Sequence, residues 1–134
     1  MQNDFLDILV EAIARQEGYF AGNPQATLVV RNNPGNLRFA GQANASRPTG
    51  ATAVMIGQGE PIAVFSSPQA GICALYRDEL AKIASGMSLR AMIYAYAPPN
   101  ENNTAVYLAN VQQGAGIADP DVPLIYNFKI ASPK

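Results

Sequence analysis

The chain has 134 residues, the length of a single domain, and carries nine Lys and Arg against ten Asp and Glu. It contains no histidine and one cysteine, so it can build neither a Ser-His-Asp or Cys-His nucleophile pair nor a His/Cys zinc site. A net charge of −1 also argues against nucleic-acid binding, which normally requires a basic surface. Acid–base chemistry must therefore come from carboxyl groups, tyrosine or lysine.

The rest of the composition indicates a surface with few charges. Charged residues make up 14% of the chain and hydrophobic residues 49%, so Asn, Gln, Ser and Thr must cover much of the exterior. No run of about 18 apolar residues is present, so no membrane-spanning segment is expected. The first residues carry no basic stretch, so we expect no signal peptide. The single cysteine, Cys73, is predicted to be a small core residue.

The first part of the chain is predicted to hold one helix followed by irregular segments. Apolar residues at helical spacing predict a helix over residues 4–17, ended by Gly18 in a left-handed conformation. Turn-forming Asn, Pro and Gly residues predict an irregular segment over 19–42. Small polar residues predict a surface loop over 41–51.

From residue 52 onward the pattern predicts a small hairpin and then several helices. The hairpin strands are Thr52–Ile56 and Ile62–Phe65. The helices begin at Pro68 with Ser67 as N-cap, at Leu89 with Ser88 as N-cap, and at about Thr104. The first ends at Gly86, the second at Pro98-Pro99, and the third at Gly114 and Gly116. Their predicted buried residues are Ile72, Leu75, Tyr76, Leu80 and Ile83, then Leu89, Met92, Ile93 and Tyr96, then Val106 or Tyr107, Leu108 and Val111. The segment Leu124–Ile130 is expected to dock on the core. This pattern predicts an α+β fold that is mainly helical.

Glu17 is the first candidate for chemistry. It precedes the helix-ending Gly18 and lies beside the apolar stripe, about 120° around the helix from Phe5. Partial burial and the negative end of the helix dipole both raise the pKa of a carboxyl group, as a general acid near neutral pH requires. An exposed glutamate at a fraying helix end is the alternative.

Two further segments are rich in side chains that suit sugars. Residues 31–38 place three Asn around Pro34-Gly35, and amide groups can both donate to and accept from sugar hydroxyl and N-acetyl groups. Residues 94–104 carry Tyr96 ahead of Pro98-Pro99 and several Asn. Turn chemistry and an ordinary helix end are the alternative explanations of these two segments.

Four blocks of the sequence follow one another in an order typical of a known superfamily. They are Ala14–Gly18, Asn33–Arg38, Val64–Gly71, and Tyr96–Thr104 with Tyr107. Together they resemble the lysozyme-like proteins of phage particles and phage-derived bacterial genes, and more broadly the soluble lytic transglycosylases and goose-type lysozymes. Two blocks differ from the usual pattern. Tyr-Ala-Pro-Pro stands here where Tyr-Asn-Ala-Gly is common, and Gly-Asn-Leu-Arg stands where Gly-Leu-Met-Gln is common.

The resemblance implies a single lysozyme-like domain over residues 1–134, with a small β-hairpin beside a cleft, that cleaves the MurNAc-β-1,4-GlcNAc bond of peptidoglycan. Glu17 matches the catalytic acid that ends the first core helix of that superfamily. Glu60, in the predicted hairpin turn, and Glu101, after Pro98-Pro99, are the candidates for a second carboxylate. Glu60 is preferred because the hairpin of lysozymes lies along the cleft, with a solvated turn residue as the alternative. The implied substrate-binding residues are Tyr19, Asn33, Asn36, Arg38, Tyr96, Asn100 and Tyr107. No metal or cofactor is expected.

Two products and one different function stay open. A second carboxylate that positions a water would give hydrolysis, as in a muramidase. Glu17 acting as base toward the muramoyl 6-hydroxyl would instead give a 1,6-anhydro product, as in a lytic transglycosylase. The same fold could also be a non-catalytic glycan-binding or structural module of a phage particle or secretion machine. We expect a monomer that meets peptidoglycan glycan strands at the cell wall, in the periplasm or from a phage particle, with no nucleic-acid partner and no membrane insertion.

Overall fold

Helices make up most of the regular structure. A computed structural model describes residues 4–48, 60–99 and 103–131. The elements are α1 (Asp4–Gln16), α2 (Thr27–Val30), β1 (Ala45–Ser46), β2 (Val64–Phe65), α3 (Pro68–Ala84), α4 (Leu89–Tyr96), α5 (Thr104–Ala115) and α6 (Leu124–Ala131). Within these residues the structure is mainly helical with a small two-stranded antiparallel sheet, which confirms the predicted α+β, mainly helical class. In the described ranges, no helix combines the length and the apolar character needed to cross a membrane.

Contacts divide the chain into two compact units. The first, called here the helical unit, comprises Met1–Gln16 and Asp78–Lys134. The second, called the loop unit, comprises Glu17–Arg77.

In the helical unit, α1 packs against α5 and α6, and α4 packs against α5. The predicted first helix is confirmed and ends one residue early, at Gln16. Leu9 and Ile13 of its apolar stripe are removed from solvent, whereas Ile8 of the same stripe is 45% exposed. Leu124 at the start of α6 is also fully buried, which confirms that this last segment docks on the core.

Helix ends in this unit follow the predicted capping chemistry. The hydroxyl of Ser88 accepts a hydrogen bond from the amide of Ala91 at 3.1 Å and so caps α4. Helix α5 is capped by the Asn103 side chain, which accepts from the amide of Val106 at 3.4 Å. Of the two glycines predicted to end it, Gly114 lies inside the helix and Gly116 forms its C-cap with a φ of 69°. Only a residue without a Cβ adopts this left-handed conformation at no steric cost.

In the loop unit, β1 pairs with β2 in antiparallel register, Ala45 opposite Phe65 and Ser46 opposite Val64. The predicted strand at 62–65 is thus confirmed over its last two residues. Its predicted partner, Thr52–Ile56, lies outside the described residues. The surface loop predicted for 41–51 is wrong at Ala45–Ser46, because small residues carry little strand preference of their own and pair here through an apolar partner strand.

The second correction in this unit is a short helix. Residues 27–30 form α2 inside the segment predicted to be irregular, and Leu28 is its buried residue. Four residues are too short to show a helical repeat in the sequence, so packing of Leu28 determines this turn.

The burial predictions hold for most helix positions and fail at Leu80 and Cys73. Leu80 is exposed, although it was predicted to be buried in α3. Val106 is exposed while Tyr107 is buried, which decides the alternative left open for α5. Cys73 is exposed, so its prediction as a core residue is wrong. It lies on α3 next to the buried Ala74 and Leu75, on the side of the helix that faces solvent.

The start of α3 requires a glycine. Ser67 caps the helix, its hydroxyl accepting from the amide of Ala70 at 3.1 Å. One residue further, a Cβ placed on Gly71 would lie 1.7 Å from the backbone oxygen of Asn32. The Cα of Gly71 therefore lies so close to the backbone of Asn32 that no side chain fits at this position.

Gly71→Ala is therefore expected to destabilise the loop unit by about 2 kcal/mol, because backbone atoms must move to admit the methyl group. A glycine-to-alanine change in a helix with space for the methyl group raises the free energy of unfolding by about 1 kcal/mol. The sign of the change in stability therefore tests the close approach. Chemical unfolding followed by circular dichroism measures it. Cys73→Ala, an exposed change two residues along α3, is the control with little expected effect. An unchanged or higher midpoint for Gly71→Ala would contradict the close approach.

Candidate functional site

Glu17 follows the end of α1 directly and is half-buried. Gly18 after it has a φ of 94°, and the amide of Ala21 donates to the carbonyl of Gly18 at 3.1 Å, which closes a tight turn. The helix end and the turn fix the backbone on both sides of the carboxyl-bearing residue. This is the local structure that the sequence predicts around Glu17, and it limits how far its side chain can move.

The turn after Glu17 presents two aromatic rings. Tyr19 is half-buried and Phe20 is half exposed, and their rings lie perpendicular with centroids 5.4 Å apart. Tyr19 was predicted to bind substrate, whereas Phe20 was not considered. An exposed aromatic side chain beside a glycine-bounded turn was the signal available in the sequence.

Asn33 is fully buried and has a structural role. Its side-chain Nδ2 donates to the carbonyl oxygens of Leu37 and Ala63, each at 2.9 Å. Its Oδ1 accepts from the amide of Leu37 at 2.8 Å. The amide side chain therefore fastens the turn at 33–37 to the segment before β2. Both polar atoms of the Asn33 side chain are hydrogen-bonded to backbone groups, so Asn33 is not among the proposed substrate contacts.

Asn33→Ala is expected to lower stability by about 2 kcal/mol, since it leaves buried backbone groups without partners. Asn36→Gly is the matched control in the same turn. Asn36 is exposed and has a φ of 54°, which glycine also adopts, so this change removes the side chain with little loss of stability. Thermal unfolding of both variants provides the comparison. Equal midpoints for the two would argue against the structural role of Asn33.

Glu60 is exposed and held by two arginines. Arg47 donates to its carboxylate from Nε at 2.8 Å and from Nη2 at 3.2 Å, and Arg38 donates to its backbone oxygen at 2.7 Å. The Arg47 guanidinium also lies 4.4 Å from the centre of the Phe39 ring. Hydrogen bonding from Arg47 lowers the pKa of Glu60. An ionised carboxylate of this kind suits the role of a base that positions water, and does not suit that of a proton donor.

Tyr96 and Tyr107 meet in the helical unit. Their ring centroids are 6.2 Å apart at an angle of 70°, and Tyr107 is buried while Tyr96 is half-buried. The Nζ of Lys82 lies 5.2 Å from the centre of the Tyr96 ring and also pairs with Asp78. Tyr107 therefore supports Tyr96 from inside the unit, and Tyr96 is the ring with exposed area. Two of the predicted residues lie outside the described part of the chain, Asn100 and Glu101.

Glu79 in α3 is the ionisable residue that sequence reasoning missed. Its side chain is fully buried, and neither carboxyl oxygen has a hydrogen-bond partner among the described residues. Burial raises the pKa of Glu79 well above its ordinary value near 4.5, the Asp78 carboxylate adds to the rise and Lys82 opposes it. Its position, four residues after Leu75 and four before Ile83, was the signal, because these three positions share a helix face.

The predicted residues divide between the two units. Glu17, Tyr19, Asn33, Asn36, Arg38 and Glu60 belong to the loop unit, and Tyr96 and Tyr107 belong to the helical unit. Among the residues described, no three His, Cys, Asp or Glu side chains are grouped so that they could hold a metal ion.

Comparison of the chain with models of protein families, with curated proteins and with solved structures found no match. Any functional assignment therefore depends on the sequence blocks and on the geometry of their residues.

Proposed function

We propose that this chain is a peptidoglycan-cleaving enzyme with a lysozyme-like fold, a muramidase or a lytic transglycosylase, in which Glu17 is the general acid and base. The observation that supports this most directly is the position of Glu17. It is half-buried between the end of α1 and the left-handed Gly18. A half-buried glutamate with ordered backbone on both sides suits protonation of a glycosidic oxygen.

The reaction begins with transfer of the Glu17 proton to the glycosidic oxygen as positive charge develops at the anomeric carbon. In hydrolysis, a second carboxylate then positions the attacking water. Glu60 is the candidate, and its low pKa leaves it ionised for this task. In transglycosylation, the Glu17 carboxylate takes the proton of the muramoyl 6-hydroxyl. The 6-oxygen attacks the anomeric carbon and gives the 1,6-anhydro sugar, so no second carboxylate is needed.

The neutral side chains of the loop unit suit an uncharged sugar substrate. Asn36 is exposed in the tight turn at 33–36, where its amide donates to the carbonyl of Asn33 at 3.0 Å. The amide side chain of Asn36 can donate to one sugar group and accept from another. The aromatic pair of Tyr19 and Phe20 belongs to the same unit and offers apolar area. Apolar area together with a few polar groups is common in ligand sites.

The test is digestion of purified peptidoglycan by the full chain, with mass spectrometry of the released fragments. Reducing ends would identify hydrolysis, and 1,6-anhydro ends would identify transglycosylation. Binding to peptidoglycan without release of fragments would overturn the enzymatic proposal in favour of a non-catalytic glycan-binding module. The absence of both binding and fragment release would overturn the enzymatic proposal and the non-catalytic glycan-binding alternative.

A further inference from the structure

A groove lies within the helical unit between α1 and α5, and none of the predicted site residues lines it. Its volume is about 530 Å³, within the range of small-molecule sites. The two helices approach closely at Gly114, since a Cβ placed there would lie 3.3 Å from the Cβ of Ala12. Both of these small residues line the groove.

One wall of the groove carries a pair of side-chain amides. The Nδ2 of Asn110 donates to the Oε1 of Gln16 at 2.9 Å. Among the described residues, nothing else hydrogen-bonds the Oδ1 of Asn110 or the Nε2 of Gln16. The pair therefore leaves an acceptor on Asn110 and donors on both side chains, the groups with which the carbonyl and the N–H of a ligand amide can pair.

The remaining lining favours a neutral ligand with a small apolar group. Ile8 is 45% exposed and, with Ala12, forms an aliphatic surface. The charged residues of the groove, Glu11 and Arg15, pair with each other at 2.7 Å, so they present no net charge to a ligand. An acetamido group combines a donor, an acceptor and a methyl group, and therefore matches both the amide pair and the aliphatic surface.

We propose that this groove is a secondary glycan-binding site that recognises the acetamido group of an N-acetylhexosamine. The inference rests on the proposed function for its ligand class, because both sugars of peptidoglycan carry this group. Its role would be to hold the enzyme on the glycan through the acetamido group.

The binding test uses the full chain with Glu17→Gln, so that the probe is not consumed. N-acetylchitotetraose is titrated by calorimetry, and the side-chain amide signals of Asn110 and Gln16 are followed by NMR. Cellotetraose is the matched probe, since it has hydroxyl groups in place of the acetamido groups. We expect shifts of both amide signals with N-acetylchitotetraose only. No shift, or equal shifts with cellotetraose, would overturn the proposal without the need for any variant of the groove.

Removing both amides, with Gln16→Ala and Asn110→Ala together, is expected to weaken binding to the groove about tenfold through loss of two hydrogen bonds. Gln113→Ala, an exposed change on α5 outside the groove, is the control. If the double variant fails to fold, each single variant replaces it. Unchanged affinity in the variants would place the bound sugar elsewhere and overturn the proposal.

Cleavage of peptidoglycan by the parent chain is measured in a separate assay, so that the two proposals can be distinguished. Cleavage without acetamido-dependent NMR shifts would overturn glycan binding in the groove and leave the proposed function unaffected. Acetamido-dependent shifts without cleavage would support glycan binding in the groove and overturn the proposed enzymatic activity.

Discussion

Glu17→Gln is expected to reduce peptidoglycan cleavage by a factor of roughly 10²–10⁴, the usual contribution of general acid catalysis. Glutamine has nearly the same shape as glutamate, but it has no acidic proton to give to the glycosidic oxygen. The half-buried position directly after α1 can accept this change without a new cavity. The measurement is the rate of fragment release from purified peptidoglycan, with circular dichroism to show that the helices are retained.

Asp121→Asn provides the control for loss of a carboxylate. Asp121 is exposed and accepts from the Nε of Arg90 at 2.6 Å, and an exposed ion pair of this kind contributes little to stability. We therefore expect its cleavage rate to stay within a factor of about two of the parent. Full turnover in Glu17→Gln would overturn the assignment of the acid, whatever product the parent chain releases.

The elements that were predicted well depend on interactions between near neighbours in sequence. The end of α1 is decided by the apolar repeat and by Gly18, and the start of α4 by the Ser88 cap, all within about one helical turn. The same holds for the position of Glu17, which depends on the end of its own helix. Such features can be worked out from single stretches of sequence because few other residues influence them.

The features that were missed depend on residues distant in sequence. Ala45–Ser46 becomes a strand because β2, about 20 residues later, offers an edge to pair with. Asn33 serves structure because the carbonyl of Ala63, 30 residues away, accepts its second hydrogen bond. An asparagine in a Pro-Gly turn looks the same in sequence whether it faces a ligand or the interior, and only its partner shows which.

Glu79 and Leu80 show the same limit within one helix. Both positions lie near the apolar face of α3, and hydrophobicity alone assigns burial to the leucine. The structure buries Glu79 completely and leaves Leu80 45% exposed. A rule that places charged residues outside therefore fails where the helix turns the carboxyl group inward. Burial raises the pKa of Glu79 and so favours the neutral form of this carboxyl group.

The protonation of Glu79 makes stability depend on pH. Above its ordinary pKa near 4.5 the unfolded chain releases this proton, whereas the folded chain retains it because burial raises the folded-state pKa. Stability is therefore lost as pH rises above the unfolded value, by about 1.4 kcal/mol for each pH unit, until the raised folded value is reached. Below the unfolded value both states hold the proton, and this contribution no longer changes with pH.

Glu79→Met is accordingly expected to stabilise the helical unit, and to do so more at pH 7.5 than at pH 5. Methionine fits a buried helical position of similar volume and removes a group that must otherwise be kept neutral, a replacement that is often stabilising. Urea unfolding at the two pH values measures the difference. Glu11→Gln, which removes an exposed carboxylate of the same unit paired with Arg15, should leave the pH dependence of the parent in place. A Glu79→Met chain as pH-dependent as the parent would mean that Glu79 is ionised in the fold. Lys82, already paired with Asp78, would then have to neutralise it as well.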